Sequence, residues 1–146
     1  MATSIDSAKR VISGSWGEVW LDGRKVAECS AFQAKVARNK EKLNFCGKFM
    51  SDTKATSADG TGSMTIYHVD SDHLTEESGI QNGVDRRYTL VAKLRDPDSW
   101  GAERVAVYGV SFDDMTLADW KAATTGSITR AFTFSSFELL DTITAP

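Results

Sequence analysis

Lys25-Val-Ala-Glu-Cys-Ser30-Ala-Phe-Gln-Ala-Lys35-Val-Ala-Arg-Asn39 can be read as a helix or as a strand, and that choice sets the fold class of the chain. Its alanines and lysines favour helix by propensity. Its apolar positions Val26, Phe32 and Val36 do not sustain a helical spacing. Read at period two, one face carries Val26, Glu28, Ser30, Phe32, Ala34 and Val36, and the other carries Lys25, Ala27, Cys29, Ala31, Gln33, Lys35, Ala37 and Asn39. A strand with one face buried alternates in this way, so the segment reads as a strand. Glu41 to Cys46 continues the pattern, with Leu43 and Phe45 on one face.

Upstream, Trp16 to Leu21 is strand-like and is followed by Asp22-Gly23, the strongest short-range hairpin signal. Downstream, Gly47 to Gly62 is polar and glycine-punctuated, and reads as a long loop. Within it, Gly60-Thr-Gly62 reads as a turn before the strand Ser63–Val69. Asp72 to Gly79 suits one short helix, capped by Ser71 or Asp72 and stopped by Gly79. Leu74, inside it, and Ile80, just after it, are the apolar residues of the polar stretch 70–83. Further strands are expected at Arg87–Arg95, Arg104–Phe112 with a bulge at Gly109, and Ser127–Ser135 with Ile128, Arg130, Phe132 and Phe134 on one face. Leu117–Ala123 reads as a helical turn. The sum is a mainly β chain: an antiparallel sandwich or partly closed barrel with one short α-helix. Residues 1–13, polar and small, form a flexible arm that a partner would order. Residues 14–146 form a single domain with its long loop at 47–62.

Composition narrows function. The 146 residues carry 17 basic and 20 acidic side chains, a net of −3, with the two signs interleaved. Neither a basic nucleic-acid footprint nor a polybasic membrane stripe is present. The first ten residues lack the apolar stretch of a secretory signal, and no window reaches the ~18 apolar residues of a membrane span. Cys29 and Cys46 form neither a disulfide framework nor a metal-type pair. His68 and His73, with Asp70 and Asp72, make a better helix cap than a metal site. No phosphate loop or nucleophile elbow occurs. No catalytic residue, metal or cofactor is expected. Gly14-Ser-Trp16 matches the G-x-W that opens lipocalin barrels, so a small-ligand-binding barrel is the alternative of a different class.

Taken in series, the segments resemble XkdM-like phage tail tube proteins. The resemblance rests on Ile12-Ser-Gly14, Val19-Trp-Leu-Asp-Gly23, Phe32-Gln-Ala-Lys-Val36, Asn39–Asn44, Gly47-Lys-Phe-Met50, Asp59–Gly62 and Ile66–Val69. It continues through Tyr88-Thr-Leu90, Glu103–Tyr108, Val110–Asp113 and Phe132-Thr-Phe134, covering roughly 11–138. The stretch after Val69 is more polar than the family's outer helix. The resemblance implies hexameric rings whose strands join into one inner barrel, stacked as the inner tube of a contractile phage tail or of a phage-derived R-type particle. The implied partners are other copies, the sheath, the baseplate, the tape-measure protein, and double-stranded DNA that passes without specific binding or membrane insertion. The implied location is the virion tail, after assembly in the host cytoplasm. A tail-end adaptor ring would be a variant of the same role. On this reading Lys48, Phe49, Met50 and Lys54 make inter-ring contacts, because a Phe-Met pair sits in an otherwise polar loop. Ile5, Val11 and Ile12 form the inter-subunit arm.

Overall fold

The period-two segment is a strand. In a computed structural model that describes residues 4–146, it is β3, Cys29–Leu43. The others are β1 (Gly17–Leu21), β2 (Arg24–Lys25), β4 (Asp52–Tyr67), β5 (Tyr88–Leu94), β6 (Glu103–Phe112), β7 (Ser127–Phe134) and β8 (Ser136–Asp141). Asp22 and Gly23, at φ 48° and 84°, make the tight turn from β1 to β2, the conformation for which Asp-Gly is suited.

All the pairings are antiparallel, in the order β2-β1-β5-β6-β7-β4-β3, with β8 also on β6. β6 serves two layers. Most of its length pairs with β5, while Ser111 and Phe112 pair with β7. The sheet thus folds over at β6 without closing, the sandwich-like, partly closed architecture expected of the sequence. Gly109, at φ 66°, lies where the β5–β6 register slips. The slip lets Val107 and Val110, three residues apart, both turn into the core. β7 and β8 follow β6 as one bent strand interrupted at Ser135, whose N–H donates to the Tyr108 carbonyl at 3.0 Å.

Val19, Leu21 and Leu90 join Met64, Ile66, Ile128 and Phe132 in one core. Phe132 stacks on Phe32 at 5.8 Å and meets Phe112 edge-on at 6.0 Å. Burial of this apolar surface, at roughly 25 cal/mol per Å², is the main stabilisation.

Several expectations need correction. The connection between β3 and β4 is only residues 44–51, and residues 52–62 belong to β4. Gly60 and Gly62 are therefore strand residues, opposite Phe134 and Phe132. A Cβ on Gly62 would lie 2.6 Å from the Phe132 ring, and one on Gly60 2.6 Å from the Phe134 ring. The glycines are there so that aromatic side chains can lie flat across the strand, not to make a turn. The helix α1 spans Asp72–Glu76 and passes into a 3-10 turn, Ser78–Asn82, ended by Gly83 at φ 75° instead of by Gly79. Leu117–Ala123 contains no helix, and Ala123 sits at φ 60°. β3 stops at Leu43, leaving Phe45 in the connection, and β8 was not anticipated.

Candidate assembly interface

β3 and β4 stay paired over their whole length, from Cys29↔Ile66 to Leu43↔Asp52. β7 accompanies β4 only from Tyr67 to Gly60. Beyond Gly60 the hairpin leaves the sandwich as a two-stranded ribbon, residues 36–43 and 52–59, joined at 44–51. All but Leu43 of these residues are exposed, on both faces of the ribbon.

Three of the sequence-selected residues lie together at the ribbon's tip. Gly47, at φ 81°, turns the chain, and Lys48 donates its N–H to the Phe45 carbonyl at 3.3 Å. Phe45, Phe49 and Met50 project into solvent. Lys54 stands apart from them, on β4 opposite Glu41. Lys48 lies 3.9 Å from Asp52 in an exposed pair, a geometry that contributes little to stability.

At the root of the ribbon, Val36, Gly60, Phe134 and Phe137 line an open cleft of about 630 Å³ where the hairpin and β8 diverge. Phe137 and Leu139 stand opposite Val107 and Val105, extending the core-facing row onto β8. Both are exposed. Among the described residues, no strand pairs with the outer edge of β8 or with the outer edge of β3.

The arm is more attached than the sequence suggested. Its first three residues lie outside the described residues. Ala8–Arg10 form a 3-10 turn. Arg10 donates to the Asp98 carbonyl at 3.1 Å and lies over Trp100. The Ser13 N–H donates to Asp96 Oδ2 at 2.9 Å. That bond and one from the Asp98 N–H hold the Asp96 carboxyl below the usual carboxylate range. Ile5 and Val11 remain exposed and Ile12 half-buried, so these three do not join the core.

The polar stretch after Val69 packs through charge. Arg130, in the apolar row of β7, is buried, lies 3.7 Å over the Phe112 ring and reaches Glu76 of α1 at 3.3 Å. Arg24 holds the other oxygen of Glu76 at 2.6 Å and reaches Asp72 at 3.3 Å. Tyr88 donates its hydroxyl to Glu77 at 2.7 Å. Burial and that carboxylate push the phenol's pKa up. His73 is buried beside Arg130, and desolvation, then that cation, push its imidazole down. Arg130 gave a sequence signal as a cation in an apolar row, but only the fold supplies its partner.

Among the described residues, no three His, Cys, Asp or Glu side chains are placed to share a metal, and no helix is long and apolar enough to cross a membrane. Cys29 packs against the core, where burial pushes its thiol pKa up; Cys46 is exposed. Gly14–Trp16 forms a 3-10 turn beside an open cleft of about 1190 Å³. The unclosed sheet does not build the barrel interior that a lipocalin-like carrier requires.

The chain as a whole is similar to known proteins. Two Bacillus subtilis (strain 168) proteins, the phage-like element PBSX protein XkdM and the uncharacterized protein YqbM, are each 40% identical over 113 residues. The matched region is 76% of this chain and 77% of either relative. The fold is similar to a chain in an extracellular contractile injection system, solved as its sheath/tube terminator, with TM-score 0.75. That match covers 92% of this chain and 100% of the other at 6% identity, a likeness of fold. The family model described as phage tail tube protein matches residues 5–141, and the chain belongs to that family.

Proposed function

We propose that the chain is the inner-tube subunit of a contractile tail. Six copies close into a ring, and rings stack into a conduit for double-stranded DNA. The observation that carries this reading is the ribbon, strand-paired along its length yet covered by no layer of its own chain. An isolated two-stranded ribbon is marginal in water, and an open edge as long as that of β3 invites pairing with another chain. In a ring those liabilities become the contacts. The outer edge of β3 and the edges beside the β4–β8 fork are unlike surfaces, and contacts between unlike surfaces generate rings or open filaments. Lys48, Phe49, Met50 and Lys54 reach the next ring. Ile5, Val11 and Ile12 pack against a lateral neighbour.

The role is mechanical and not enzymatic. The sheath surrounds the tube, the baseplate nucleates it, and the tape-measure protein and then DNA occupy its bore. A net charge of −3 suits that passage, since DNA grips a surface that neutralises its phosphates and releases counterions. The subunit needs no cofactor and no membrane. Assembly takes place in the host cytoplasm, and the product resides in the virion tail.

Negative-stain microscopy with light scattering, across a concentration series and with preformed seeds, tests the reading. The wild-type chain is expected to give long hollow tubes of constant width. A variant with residues 38–58 replaced by Asn-Gly, a turn suited to a short hairpin, is expected to fold and stay unassembled. Wild-type monomer even with seeds would overturn the reading, as would tubes from the ribbonless variant. Closed rings that never lengthen would make the chain a tail-end adaptor instead.

A further inference from the structure

Charge is divided unevenly over the fold. Within residues 33–62 the cations are Lys35, Arg38, Lys40, Lys42, Lys48 and Lys54, against the anions Glu41, Asp52 and Asp59. Elsewhere anions predominate, because the whole chain is net negative. They gather in two segments, 68–87 and 113–126. The first carries Asp70, Asp72, Glu76, Glu77 and Asp85 against Arg86 and Arg87. The second carries Asp113, Asp114 and Asp119 against Lys121.

Strand direction separates the two signs in space. The segment 68–87 follows Tyr67, and 113–126 precedes Ser127; these are paired residues at one end of the β4–β7 ladder. The ribbon departs from the other end, beyond Gly60↔Phe134. Both sets are neutralised only in part at home: Asp72 and Glu76 pair with Arg24, Glu76 also with Arg130, Asp85 with Arg87, and Lys48 with Asp52. Among the described residues, Lys35, Arg38, Lys40, Lys42 and Lys54 make no ion pair, and neither do Asp70, Asp113, Asp114 and Asp119. The second segment also exposes Leu117 and Trp120, to which Phe49 and Met50 at the ribbon tip are apolar counterparts.

We infer that the basic ribbon of one copy docks on the acidic 68–87 and 113–126 segments of a second copy, and that this contact joins successive rings head to tail. It rests on the tube reading and deepens it by naming the receiving surface. A contact between opposite ends of one chain cannot satisfy itself within a pair, so it propagates along an axis. Complementary charge also fixes polarity, since ribbon against ribbon and acidic end against acidic end both repel.

Two charge-reversed chains test the contact. One carries Lys40→Glu, Lys42→Glu and Lys54→Glu on the ribbon, and the other carries Asp113→Lys, Asp114→Lys and Asp119→Lys. All six positions are exposed, so circular dichroism and Tm are expected to match wild type. Neither chain alone is expected to sediment above the ring, whereas an equimolar mixture should elongate, because each ribbon then meets an opposite charge. Wild-type elongation should weaken between about 0.1 and about 1 M salt, as the screening length falls from about 10 Å to about 3 Å. Elongation by either chain alone, or none by the mixture, would overturn the inference. Salt-sensitive, mixture-restored association into solid or irregular oligomers would keep this contact and sink the tube reading instead.

Discussion

The β3–β4 hairpin is one continuous ladder with two different halves. At its root, Met64 and Ile66 are buried, Phe32 stacks on Phe132, and Gly60 and Gly62 leave room for aromatic rings. In the ribbon the same face carries Val36, Arg38 and Ala58, all exposed. Antiparallel pairing runs through both halves, with one register shift in each, at Cys29/Ala31 and at Asn39/Lys40; what differs is whether a second layer covers it. Hydrogen-bonded pairing alone holds a register, but burial stabilises it. The root is completed by its own chain, whereas the proposed tube would complete the ribbon with another copy.

Phenylalanine substitutions separate the two halves most directly. Phe132→Ala at the root is expected to cost about 3–5 kcal/mol, by lost burial and the cavity it leaves. Phe49→Ala at the ribbon tip should change monomer stability by no more than about 0.5 kcal/mol, while lowering tube yield. Urea unfolding of both variants, beside scattering of both, measures the contrast. Equal destabilisation would mean that the ribbon tip packs on its own chain.

Gly62 gives a smaller and sharper comparison. Ala58 carries a methyl on the same face of β4 without crowding, because nothing lies over it. At Gly62 the added methyl would press on the Phe132 ring and the Gln33 carbonyl. Gly62→Ala is expected to cost about 1–3 kcal/mol through overpacking. A midpoint unchanged in thermal unfolding would show that the ring yields freely, and the account of the strand glycines would be wrong.

The sequence revealed the two halves unequally. Strand-like composition located β1 and β6, and alternation located β3, β5 and β7, because a buried face imposes period two on side chains. It also placed Ile128, Arg130, Phe132 and Phe134 on one face. It failed in residues 52–62, where Ser, Thr, Ala, Asp and Gly have loop-like composition. Their strand state depends on pairing with β3 and on rings from β7, which composition does not encode. β8 was passed over although Phe137 and Leu139 alternate with Ser136 and Glu138, because the run is short and follows β7 after a single residue with no turn signal between them. The tip residues Phe49 and Met50 were legible as apolar groups out of place among polar ones, with Lys48 beside them. Lys54 was grouped with them by sequence proximity, but it belongs to a strand. The attachment of α1 was invisible, since its partners Arg24, Tyr88 and Arg130 are distant in the chain.

α1 also provides the smallest expected effect, one confined to the root. His73 faces Arg130, His68, Asp70 and Glu76, and its imidazole is held below the ordinary value of about 6.5. The unfolded chain therefore takes up the proton at a pH where the folded chain still resists it. Stability should decline as pH falls below that ordinary value and level off once the folded imidazole also titrates. His73→Gln should remove this part of the slope of Tm against pH, leaving the rest of the acid limb in place. In hydrogen exchange, amides of α1 should lose protection over that window while those of the ribbon keep their pattern, since the ribbon buries no titratable group. If the ribbon loosened together with α1, the hairpin would be a single cooperative unit, and the division between root and ribbon would be one of exposure without being one of stability.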